Sequence, residues 1–220
     1  MPASQHSEPR DNELHAAAEK AARQSPETLR TAVQQITLDA LSKGRVDGAR
    51  IKQVVKSVFE GVTVGLGEKQ SDRAALEGAF QGLAQALDKT AQAVRFSAQE
   101  AAGRIGNFAH QDLKQTADDM RTLESMFLDS LQSALSNVDA ASRVIIEDLI
   151  AHGRRSGTAA GGSARDAVVS LEAALAQTVR SSGEAVAKNG AEMGRRLAQV
   201  TSGFLAGLAA SLDELSRKRD

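Results

Sequence analysis

The chain has no cysteine, tryptophan or tyrosine, and phenylalanine is its only aromatic residue. The missing cysteine excludes disulfides and thiol chemistry without fixing a compartment. Proline occurs only at 2, 9 and 26, so residues 27–220 run without a helix breaker of that kind. Neither sign of charge predominates. Lys and Arg number 27 against 28 Asp and Glu, and the net charge of −1 offers no global field to attract nucleic acid or an anionic membrane. Long apolar runs are missing too. The longest uncharged stretch, Leu197 to Leu212, contains Gln199, Thr201 and Ser202, and its sixteen residues fall short of the ~20 that a transmembrane span needs. The start, MPASQHSEPRDNE, is polar and has no signal-peptide core, so a cytoplasmic protein is expected.

What is present is alanine, leucine, glutamine, glutamate and arginine, and that composition predicts an all-α fold. Residues 1–12 read as a disordered tail. A small unit of short helices is expected over 13–67. Ser25 would cap one of them, with Pro26 in its first position, and Asp47 would cap the next, which frays near Gly65-Leu66-Gly67.

From residue 71 an eleven-residue period takes over. Leu76, Leu87, Met120 and Leu131 fall in one series; Leu83, Val94, Ile105, Phe127, Val138 and Leu149 in a second; Phe80, Leu113 and Leu135 in a third, where Glu124 is the odd member. Steps of 4-3-4 give about 3.67 residues per turn, so one apolar stripe stays on one side of a nearly straight helix. Over 71–152 such a helix would be ~120 Å long. Gly103-Arg104-Ile105-Gly106-Asn107 allows a kink or a hairpin turn, but the register carries through it, and the expectation is an unbroken helix. A glycine-rich turn at 153–162 follows. Ser163 and Asp166 then form a capping pattern for a second long helix, 163–217, whose stripe comprises Leu171, Leu175, Val186, Met193, Leu197, Phe204, Leu208 and Leu215. The two long helices should pack as an antiparallel hairpin or bundle. Residues 71–150 carry a net charge of −5 and residues 151–220 one of +3, which favours that association.

Catalytic signals are poor. No nucleophile-elbow, phosphate-loop or paired-histidine zinc motif occurs. Asp148 and His152 share a helix face, which suits a solvated pair better than a metal site. No catalytic, cofactor or metal residue is expected, and the protein reads as non-enzymatic. Glycine pairs spaced by four stand at Gly61/Gly65, Gly78/Gly82, Gly190/Gly194 and Gly203/Gly207. Each glycine inside a helix costs ~1 kcal/mol relative to alanine. Close helix–helix approach would account for them. A loosely held helix that opens would too, as would chance in a Gly/Ala-rich chain.

The stripe has two uses. It is either the seam of a coiled-coil-like bundle that forms a homo-oligomer or takes a helical protein partner, or a reversible surface for lipid or a hydrophobic granule. Through the stripe and the segment SSGEAVAKNGAEMGRRLAQVTSGFLAGLAASLDEL, residues 181–215, the chain resembles phasins, helical proteins that coat bacterial polyhydroxyalkanoate granules. That resemblance spans roughly 71–217, and residues 1–70 depart from it. It implies a non-enzymatic, oligomerising, granule-associated protein. The chain also resembles helical families of Proteobacteria that imply no activity.

Overall fold

Local signals start most of the helices. A computed structural model describes residues 8–43, 46–67, 72–102, 110–181 and 205. Helix α1 (Glu8–Ala21) begins inside the stretch expected to be a tail, because Pro9 falls in the first turn, where a missing N–H leaves nothing unpaired. Helix α2 (Pro26–Ser42) starts at Ser25, whose hydroxyl accepts from the Thr28 amide at 3.4 Å. Asp47 caps α3 (Gly48–Leu66), accepting from the Arg50 amide at 2.9 Å. Then come α4 (Arg73–Ala102), α5 (His110–Ala134), a 3₁₀ turn (Leu135–Asn137), α6 (Ala140–Ser156) and α7 (Ala159–Ser181). All secondary structure among the described residues is helical, and the fold is all-α.

The helices share one core. Neighbour order runs α1–α3–α5–α7–α4–α2, and α2 returns to α1, while α6 lies on α4 and α5. The apolar residues of α1, α2 and α3 belong to the same cluster as those of α4, α5 and α7. The short N-terminal helices are therefore part of the main body. Phe59 and Phe127 are the largest fully buried side chains, in a core otherwise built from Leu, Val, Ile, Met and Ala.

The single helix expected over 71–152 is not what forms. The rings of Phe80 and Phe127 lie 5.2 Å apart. Forty-seven residues of continuous helix would separate them by ~70 Å. So α4 and α5 run in opposite directions, with the reversal between Ala102 and His110, and Ile105 lies outside the described residues. A second interruption follows α5. Val138 is extended (φ −110°, ψ 152°), and the Asp139 carboxylate accepts from the amides of Ala141 and Ser142 to begin α6.

Between α6 and α7 the turn is shorter than expected, only Gly157 and Thr158. Gly157 takes φ +76°, which a side chain rarely adopts. Gly161 and Gly162 are helical. Ser163 and Asp166 do not cap anything; they face α4, Ser163 bonding to Asp88 and Asp166 accepting from Arg95 at 3.3 Å.

Candidate functional site

Within the described residues the eleven-residue stripe lies inside the molecule. Leu76, Leu83, Leu87, Val94, Leu113, Met120, Phe127, Leu131, Leu135, Val138 and Leu171 are buried, and Phe80, Leu149 and Leu175 are half-buried against the same cluster. The series overlooked Leu123 and Leu128, both buried on α5, because they follow the next row of side chains. Val186, Met193, Leu197, Phe204, Leu208 and Leu215 lie outside the described residues, although Leu205 among them is helical and fully buried.

Two of the glycine pairs mark close helix contacts. A Cβ on Gly61 or Gly65 of α3 would press into the backbone of α1 at His15 and Glu19, and would meet the Cβ atoms of Ala18 and Ala22 at 2.9 and 2.8 Å. A Cβ on Gly78 of α4 would stand 2.8 Å from the Pro26 carbonyl oxygen, and one on Gly82 2.5 Å from that of Arg30. Only a hydrogen fits at these contacts. Matching positions rise together along both helices of each pair, so α1 runs parallel to α3 and α2 parallel to α4. The pairs at 190/194 and 203/207 lie outside the described residues.

Glu124, the carboxylate in the apolar series, has a tertiary role. It reaches from α5 to the start of α7, accepting from the Thr158 amide at 2.5 Å and the Thr158 hydroxyl at 2.8 Å. That hydroxyl in turn accepts from the Gly161 amide at 3.1 Å. The carboxylate lies where a Gly161 side chain would be, so a Cβ there would push Glu124 out of this position. A negative charge at a helix N-terminus is favoured by the dipole, and Arg165 adds a pair at 3.7 Å.

The α7 seam is lightly built. Its buried positions among the described residues are Ala160, Ala164, Ala167, Leu171 and Ala174, with Val168 and Leu175 half-buried beside them. Exposed ion pairs flank it: Arg95–Asp166 at 3.3 Å and Arg121–Glu172 at 2.5 Å. The hydrogen bond that Arg121 donates to Glu172, and less strongly that to Asp118, raises its guanidinium above its already high ordinary value. A shallow groove of about 310 Å³ runs along the seam, lined by Met120, Ala164, Val168 and Val169.

A larger cleft, about 510 Å³, opens between α4 and α6. Its floor is Phe80, Ala84, Leu149 and Gly153, and Phe127 backs the Phe80 ring. Arg73 bridges the two helices at one end, donating to Asp148 at 2.6 Å and to Glu77 at 2.7 Å. The Asp148 bond, then the Glu77 bond, raises its guanidinium. The Gly157–Thr158 turn closes the other end. Asp148 is therefore engaged with Arg73, not His152, and among the described residues no three His, Asp or Glu converge to hold a metal. No described helix is long and apolar enough to cross a membrane.

Fold and surface together define an all-α bundle with an internal apolar seam and an open cleft between α4 and α6. The chain belongs to DUF6781, a family of unknown function, whose model matches residues 4–214. No curated protein and no solved structure matches it.

Proposed function

We propose that the chain is a non-enzymatic helical interaction protein, which self-associates or receives a partner helix through the same apolar seam that closes its own core. The observation that carries this reading is the make-up of the α7 seam. Alanine buries little apolar area, about a third to a half of what leucine does. Exposed ion pairs contribute ~0–1 kcal/mol each. Among its described residues α7 buries four alanines and one leucine, half-buries Val168 and Leu175, and is otherwise held by polar contacts to α4 and α5, so it can be exchanged for an equivalent helix that remakes the same contacts. The chain lacks cysteine, so single pairs can be introduced cleanly. Arg121→Cys with Glu172→Cys, joined by a short bismaleimide, would lock α7 onto α5. Light scattering over a concentration series should show association of the free protein and its loss in the locked one. Equal association of both would overturn the seam as the interface, and a monomer throughout would overturn self-association.

The second reading, a phasin-like coat on hydrophobic granules or lipid, draws on the same seam. Displacing α7 would bare the inner faces of both α4 and α5, because α7 lies along each. Flotation with neutral lipid vesicles or polyester granules at high salt tests it. Co-flotation that the α7 lock abolishes supports this reading; none for the unlocked protein removes it.

A further inference from the structure

The cleft between α4 and α6 has the make-up of a ligand site, and the seam reading does not use it. Its volume of about 510 Å³ lies within the ~300–1,000 Å³ typical of small-molecule pockets. The floor is apolar and includes one face of an aromatic pair. What makes it more than a dent is the sorting of its charges. Both lining carboxylates, Asp148 and Glu77, accept from Arg73. Both acids of the lining are thus engaged at the Arg73 end, two carboxylates on one guanidinium.

Four nitrogen-bearing side chains along the rest of the wall have no such match. Gln81 and Gln85 stand one turn apart on α4, and His152 and Arg155 one turn apart on α6. No hydrogen bond or ion pair engages any of the four with another described residue. Arg155 brings the lining to balance, two arginines against two carboxylates, but is held by neither carboxylate and stands above a floor that favours a flat apolar body. We infer that the cleft binds a small organic anion, an aromatic or branched carboxylate or sulfonate. Its ring would lie on Phe80 and Leu149, its acid group against Arg155, and the glutamine amides would fix its orientation.

Anilinonaphthalene sulfonate and its neutral counterpart phenylnaphthylamine make a suitable probe pair. With no tryptophan or tyrosine, the protein contributes little fluorescence of its own. The folded wild type should bind the sulfonate saturably at one site. Arg155→Glu, at an exposed position, should weaken that binding by roughly tenfold or more while sparing the neutral probe. Leu149→Trp, which fills the floor, should abolish both. Circular dichroism melts of each variant confirm that the fold persists. Sulfonate binding that ignores Arg155→Glu, or that survives the filled floor in a folded variant, would overturn the inference. Absence of saturable binding would overturn it as well.

Discussion

Replacing Gly82 by alanine should destabilise the protein, against the helix-propensity rule. In the middle of α4 the exchange would by propensity alone stabilise by about 1 kcal/mol. The added Cβ, however, stands 2.5 Å from the Arg30 carbonyl oxygen and 3.0 Å from two carbons of Val33. Ordinary contact begins near 3.4 Å, so α2 must move off α4 by roughly 1 Å. The obstacle is backbone and cannot rotate away. Leu29, Val33, Leu38 and Leu41 of α2 are fully buried and would lose contact as the helix retreats. A gap of 0.5–1 Å forfeits roughly a quarter to a half of the dispersion well, and overpacking generally costs ~1–3 kcal/mol. After the propensity gain, the net loss should be up to about 2 kcal/mol, lowering Tm by up to roughly 8 °C for a chain of this size. Gly162→Ala is the control. Nothing lies within 4 Å of a Cβ there, so stability should rise by up to about 1 kcal/mol. Thermal and urea unfolding followed by circular dichroism reads both. A Gly82→Ala protein that gains stability like Gly162→Ala would refute the close packing of α2 on α4.

Phe127→Asp places a carboxylate at a fully buried position against Phe80 and should cost several kcal/mol or abolish the cooperative melt; a wild-type melt would show that the stripe is not interior. Glu124→Ala strands the Thr158 amide and hydroxyl and should cost ~1–3 kcal/mol, with faster hydrogen exchange at Thr158 and Gly161; unchanged exchange there would deny the tertiary cap. Asp139 should show as pH dependence. Its hydrogen bonds from Ser142, then the Ala141 amide, hold its carboxyl below the ordinary 3.8. A group depressed in the folded state contributes fully above that ordinary value, and the contribution fades as pH falls below it toward the folded value. Asp139→Asn should therefore flatten the acid limb of the stability profile, and an unaltered limb would count against the cap.

Helix starts at Ser25 and Asp47 were legible because a cap is a local event: one side chain, one turn and the backbone beside it. Stripe burial was legible because apolar side chains repeat at helical spacing whatever they pack on. Chain direction was not. An eleven-residue register measures phase around an axis, and phase carries through Ala102–His110 whether the chain continues or turns back. The same blindness hid the interruption at Val138, which itself holds a stripe position and is buried.

Glu124 was visible as a polar residue in an apolar series, and Gly161-Gly162 as a glycine doublet. Their connection exists only in three dimensions, across 34 residues to Thr158. Charge was half legible. Glu124–Arg165 and Asp129–Arg154 join the acidic and basic segments in the expected sense, but Arg95–Asp166 and Arg121–Glu172 run the opposite way. The net charge of a segment does not choose individual partners. The cleft had no signal in the sequence at all, since α4 and α6 contribute to it from positions about 70 residues apart.

The most direct test of the folded-back seam is a spin-label distance between α4 and α5. Both labels can be attached uniquely in a chain without cysteine, at the exposed positions Gln81 and Ser125. A reversed chain predicts a distance below about 35 Å, two helix diameters plus the label arms. A distribution centred near ~65 Å, the length of 44 residues of straight helix, would contradict it.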